Sequence, residues 1–215
     1  RFIDINRRVR SRLVDLVDGA SSHVCVPLQG SGTFVVEAML SNFVPSDGKV
    51  LILVNGAYGQ RMESICAYHS LSAESVSWAE DEPVDPLVVA ERLAADSSIT
   101  HVAVVHCETT TGILNPIEEV AAVVAAAGRS LLIDSMSAFG ALPVSSRCIR
   151  FDALVASSNK CLEGAPGLGF CLAAKDALEA TQGNSDSLCF DLYQQWKGLE
   201  VNGQRLKQLL GRGMG

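Results

Sequence analysis

Short, almost wholly apolar runs recur along this chain, and most are followed by a polar or glycine-bearing turn and then by a longer segment with helical spacing. The plainest runs are VLILV at 50–54, HVAVVH at 101–106, SLLI at 130–133 and FDALVA at 151–156. A strand apolar at every position is covered on both faces, which is the condition of a strand in a parallel sheet. Alternation of such strands with helices predicts a three-layer α/β/α fold around a mostly parallel sheet. The spacing predicts helices over 5–18, 33–43, 58–70, 86–95 and 116–127. It predicts strands over 23–28, 49–54, 101–106, 130–133, 151–156 and 168–173, with an edge strand over 75–78. In the first helix Val9, Leu13, Leu16 and Val17 fall on one face.

The chain has 215 residues, 48% hydrophobic and 19% charged, which suits one folded domain with a full core. Its net charge of -7 and lack of a basic stripe argue against nucleic acid or an anionic membrane as partner. No apolar run is long enough for a membrane-spanning helix. Seven cysteines, an odd number with no CxxC pair and several inside apolar runs, read as reduced thiols and a cytoplasmic setting. The four histidines lack metal-ligand spacing, and His106 and Cys107, as strand neighbours, point to opposite faces.

The polar residues worth noting stand just after predicted strands: Ser31-Gly32-Thr33, Tyr58, Thr109, Asp134 and Lys160. Open parallel sheets bind ligands along that edge. Gly30-Ser31-Gly32-Thr33 opens a helix whose free N–H groups suit one phosphate. A plain tight turn with Thr33 as cap accounts for it equally well in isolation. Val36 stands where a dinucleotide fingerprint needs glycine, and no P-loop lysine follows. Asp134 can hold a ring nitrogen protonated, or simply cap a turn. Tyr58 can stack on an aromatic ring, or fill the core. Thr109, Thr110 and Thr111 can contact a ring substituent or brace their own turn. Lys160, after a buried strand and before a loop rich in Gly and Pro, is placed as an amine nucleophile able to form a Schiff base.

A phosphate cup, a stacking ring, a ring-nitrogen carboxylate and a Schiff-base lysine, in that order, fit pyridoxal 5'-phosphate. The stretches LQGSGTFVVEAML, VLILVNGAYGQRM, VVHCETTTGILNPIEEV, LLIDSMSAFGALPV, LVASSNKCLEGAPGLGF and SLCFDLYQQWKGLE resemble the fold-type I, class V aminotransferases. Within that family they are most similar to the branch acting on 2-aminoethylphosphonate and pyruvate. The resemblance implies a pyridoxal phosphate-binding large domain over 1–203, incomplete at its N-terminal segment, and a divergent tail over 204–215. It implies that the small C-terminal domain, with the arginine for the substrate carboxylate, is missing. It assigns Lys160 and Asp134 to catalysis, and Ser31, Gly32, Thr33, Tyr58, Thr109 and Asn159 with them to the cofactor. Its substrates would be an aminophosphonate and a 2-oxo acid, giving phosphonoacetaldehyde and L-alanine, and its assembly a homodimer. Three other readings share Lys160: a catalytically incomplete scaffold, an alanine or serine aminotransferase, and an aminophosphonate lyase.

Overall fold

The structure is a computed structural model that describes residues 2–200; Arg1, the boundary at 203 and the tail over 204–215 lie outside the described residues. The strands are β1 (His23–Gln29), β2 (Lys49–Val54), β3 (Ser72–Ser77), β4 (His101–Val105), β5 (Ser130–Asp134), β6 (Ala153–Ser157) and β7 (Leu168–Ala174). They form one sheet in the order β1-β7-β6-β5-β4-β2-β3. All run parallel except β7, which is antiparallel to both neighbours, β1 and β6. The segment over 75–78 is the edge strand β3, as its polar sequence requires.

Strand residues alternate between two cores. Leu51, Leu53, Val102, Val104, Leu131, Ile133 and Leu154 pack on one face with α1 (Phe2–Asp15), α4 (Pro86–Ala95) and α5 (Ile117–Ala126). Val50, Ile52, Ala103, Val105, Leu132 and Val155 pack on the other with α2 (Gly32–Phe43), α3 (Ala57–Tyr68), α6 (Lys175–Ala180) and α7 (Leu192–Glu200). Both sides of each central strand are therefore covered, which explains runs without polar alternation. Truncating a wholly buried residue such as Ile52 would cost ~2–5 kcal/mol through lost burial and the cavity left behind.

The helix ends follow local chemistry. α4 begins at Pro86, where the Asp85 side chain accepts the Leu87 N–H at 2.8 Å. α2 begins after Ser31, whose hydroxyl makes no cap hydrogen bond. α6 and α7 went unread in the sequence: α6 is only six residues, and α7 buries little beyond Leu192 and Trp196. The face expected of α1 is only partly buried. Leu13, Val14 and Val17 are buried, whereas Val9 is 41% and Leu16 54% exposed. Leu13, Val14 and Val17 join the core and Arg10 donates to the Cys25 carbonyl of β1 at 2.8 Å, whereas Phe2, Ile3 and Ile5 face outward.

Candidate active site

Because β1, β2, β4, β5 and β6 are parallel, their carboxyl ends share one edge of the sheet, and antiparallel β7 starts there. A cleft of about 430 Å³ opens along that edge. Ser31, Gly32, Thr33, Tyr58, Asp134, Asn159 and Lys160 all line it. Thr109 does not: it is exposed, and its hydroxyl shares a hydrogen bond with the Ser137 hydroxyl on the turn after Asp134.

The cup at one end of the cleft is set by Gly30. Its φ of 141° is open to glycine, and a Cβ there would fall 2.1 Å from the Phe34 ring. Its N–H donates to the Gly167 carbonyl at 2.9 Å, tying the end of β1 to the start of β7. The chain then turns directly into α2, with no acidic residue in its first turn. A helix start of this kind carries a partial positive charge and amides suited to an anion.

Asp134 ends β5 at 1% exposure, and its Oδ1 accepts the Met136 N–H at 2.9 Å. Burial pushes its carboxyl up to about 7; the Met136 N–H opposes the rise, Glu108 adds to it, and Arg61 and Lys160 oppose it. A cation placed against this carboxylate would relieve the cost of its burial, as a protonated ring nitrogen does.

Two residues near Asp134 went unremarked in the sequence. Glu108 is wholly buried, and both its oxygens accept the Tyr58 N–H, at 3.2 and 3.3 Å, with the Thr110 hydroxyl donating at 3.2 Å. It therefore caps α3 from the loop after β4, and a Cβ on Gly56 would lie 2.3 Å from its Cγ. Arg61 lines the cleft, donates to the Thr33 hydroxyl at 3.2 Å, and sets its guanidinium 4.8 Å from the Tyr58 ring centre. The signal was available, since Arg61 follows Tyr58 by three residues, one turn along the same helix face.

Behind the cleft, the Asn55 amide donates to the Asn115 side chain at 2.8 Å, and Asn115 donates to the Val105 carbonyl at 2.8 Å. His106 Nδ1 meets the Ser135 hydroxyl at 3.0 Å, and burial lowers its pKa to about 4. That makes it a neutral brace between the ends of β4 and β5. Lys160 sits half-buried in the loop joining β6 to β7. The loop is fastened by Gly164 N–H to Ser158 O at 2.7 Å and Glu163 N–H to Lys160 O at 2.9 Å. No cluster among the described residues could hold a metal ion.

Residues 1–196 match the family "Aminotransferase class-V". The chain belongs to the class V aminotransferases. Curated relatives named 2-aminoethylphosphonate–pyruvate transaminase include one from Pseudomonas putida, 53% identical over 94% of this chain, and one from Pseudomonas fluorescens, 52% identical over 95%. The chain spans about half the length of these relatives, 55% in both cases. Among solved structures, a ureidoglycine–glyoxylate aminotransferase from Bacillus subtilis superposes with a TM-score of 0.87 at 20% identity, covering 96% of this chain and 53% of that one. A pyridoxamine–pyruvate aminotransferase from Mesorhizobium loti gives 0.78 at 23%, covering 95% and 58%. At these identities the two show a shared large-domain fold.

The cofactor of this class V aminotransferase is pyridoxal 5'-phosphate. The donor set fits it: a buried carboxylate seeking a cation, an uncapped helix start and a lysine amine line one cleft. Seven free cysteines stand among the described residues, Cys25, Cys66 and Cys171 buried, and burial pushes the Cys25 thiol up to about 12. No helix of the described residues is long and apolar enough to cross a membrane.

Proposed function

We propose that this chain is the cofactor-binding part of a cytoplasmic, homodimeric transaminase that moves the amino group of 2-aminoethylphosphonate to pyruvate, giving phosphonoacetaldehyde and L-alanine. The observation that carries the reading is the meeting of Lys160, Asp134 and the 30–33 turn in one cleft of a chain 53% identical to such a transaminase.

The residues take the following parts. The Lys160 amine would hold the cofactor's carbonyl carbon, and the same amine is placed as the base that moves a proton at the substrate carbon. The cofactor supplies an electron sink for the carbon that loses this proton. Asp134 would keep the ring nitrogen protonated, in a site dry enough for the charge to act strongly. Tyr58 stacks on the ring, anchored through its own N–H by Glu108. Ser31, Gly32 and Thr33, with Asn159 from the lysine loop, hold the phosphate. Thr109, exposed after β4 and hydrogen-bonded to the Ser137 hydroxyl, is the residue assigned to the ring's 3-oxygen. The exposed apolar residues of α1, Phe2, Ile3, Ile5 and Val9, support an interface between two copies.

Adding pyridoxal phosphate to the 215-residue chain should produce a visible absorbance band that Lys160→Ala abolishes. Alanine formed from 2-aminoethylphosphonate and pyruvate should depend on the same lysine. A band of equal strength in the alanine variant would reject the assignment. An inorganic phosphorus anion released from 2-aminoethylphosphonate in every turnover without pyruvate would mark a lyase instead.

A further inference from the structure

Among the described residues, Arg61 is a cation lining the cleft to which the function proposed above gives no task. Asp134, the carboxylate lining the cleft, is paired with the ring nitrogen in that function and so leaves the charge of a phosphate unanswered. Among the described residues the cations lining the cleft are Lys160 and Arg61. In the function proposed above, the Lys160 amine is committed to the carbonyl carbon. The turn at 30–33 contains no lysine or arginine. The start of α2 supplies only about half a charge, against nearly two on a phosphate ester.

Arg61 is held where the missing charge is needed. One N–H of its guanidinium donates to Thr33, a residue of the cup itself. Its face rests over Tyr58, which fixes the plane of the fork. Among the described residues the guanidinium makes no other hydrogen bond, and it has five N–H donors in all. The remaining donors are free for an anion at the cup. Guanidinium prefers planar, bidentate contacts with phosphate oxygens.

We infer that Arg61 is the cation of the phosphate site: held by Thr33 and Tyr58, it donates its remaining N–H groups to a phosphoryl group cupped by residues 30–33. This deepens the function proposed above and rests on it for the identity of the ligand. It also ties phosphate binding to ring stacking, because the same side chain touches the cup and the stacking tyrosine.

The test compares pyridoxal phosphate with pyridoxal, which has the ring and the carbonyl but no phosphate. Wild type, Arg61→Gln and Arg61→Lys are titrated with each and followed by absorbance. Inorganic phosphate is added separately while the melting temperature is read. Arg61→Gln should weaken pyridoxal phosphate about ten- to thirtyfold, the lower range for a charge-assisted contact at an exposed side chain. Pyridoxal affinity should stay within about twofold, since it offers no phosphate to pair with. Arg61→Lys should keep part of the phosphate preference, and the rise in melting temperature caused by phosphate should disappear in Arg61→Gln.

Equal weakening of both ligands would overturn the inference, leaving Arg61 as a prop for Tyr58. Unchanged affinity for both would overturn it as well. If wild type gives no Lys160-dependent band, the function fails separately. An Arg61-dependent response to inorganic phosphate would then still uphold the anion site, and no response at all would sink that too.

Discussion

Replacing Asp134 with Asn should make the cofactor-free protein more stable at alkaline pH while weakening its grip on the cofactor. In an unfolded chain this carboxyl titrates at 3.8, and in the fold burial pushes it up to about 7. Between those values the folded state holds a proton that the unfolded state has released. Stability from this residue is therefore complete below 3.8 and lost as pH rises through 7. The gap of roughly three pH units is worth ~4 kcal/mol, at about 1.36 kcal/mol for each. That is a large share of the ~5–15 kcal/mol that holds an ordinary domain together. Asn is close in shape, and its oxygen can still accept the Met136 N–H, so the substitution removes the charge and leaves the turn. Urea midpoints of both proteins, measured without cofactor from about pH 4 to 9, give the difference directly. His106, held to about 4 by burial, loses stability in the opposite direction as pH falls, but does so in both proteins and cancels. The expected curve shows the two proteins converging near pH 4, with the Asp134→Asn protein leading by up to ~4 kcal/mol at about pH 8. Saturating pyridoxal phosphate should reverse the order, because the ring cation then compensates the carboxylate in wild type only. Parallel pH profiles, or an Asp134→Asn protein less stable than wild type at the alkaline end, would refute the reasoning.

Three further outcomes are expected. Gly56→Ala should destabilise the fold by ~1–3 kcal/mol, because the new methyl drives Glu108 off the Tyr58 N–H; a thermal melt reads it, and an unchanged midpoint would show that the carboxylate is not the cap. Glu108→Gln should lose less than Glu108→Ala, since an amide oxygen can still accept that N–H, and equal losses would show that the negative charge matters more than the bond. Val9→Glu on the exposed face of α1 should shift a dimer toward monomer in sedimentation without lowering the melting temperature of the monomer; unchanged sedimentation would remove α1 from the interface.

The sheet was legible because its strands are apolar on both sides and short, so β2 and α4 coincide with their expected bounds. The direction of β7 was not legible. Its composition is that of any buried strand, and only pairing shows that the chain doubles back after the lysine. Strand ends were a good guide to the cleft, since parallel strands carry their last residues to one edge whatever follows them. The same rule does not bring Thr109 into the cleft lining, since its exposed hydroxyl meets Ser137. Glu108 was hidden for another reason: an acid in a polar loop looks solvated, and only the backbone N–H it caps, from a distant segment, explains its burial. The exposure of Val9 and Leu16 was not legible because helical periodicity locates an apolar stripe but not what covers it.

The pairing of β1 with β7 sets His23 against Ala174, so the first strand joins the sheet through the last. Closing so long a loop costs entropy that the local β6–β7 hairpin avoids. The lysine loop can therefore be shaped early, while the 30–33 cup reaches it only when β1 docks and Gly30 finds the Gly167 carbonyl. Any ligand that touches both cup and lysine bridges the first and last strands to arrive. Its binding then works as a clasp on the step that completes the sheet, and it should slow the loss of β1 before it slows the loss of anything else.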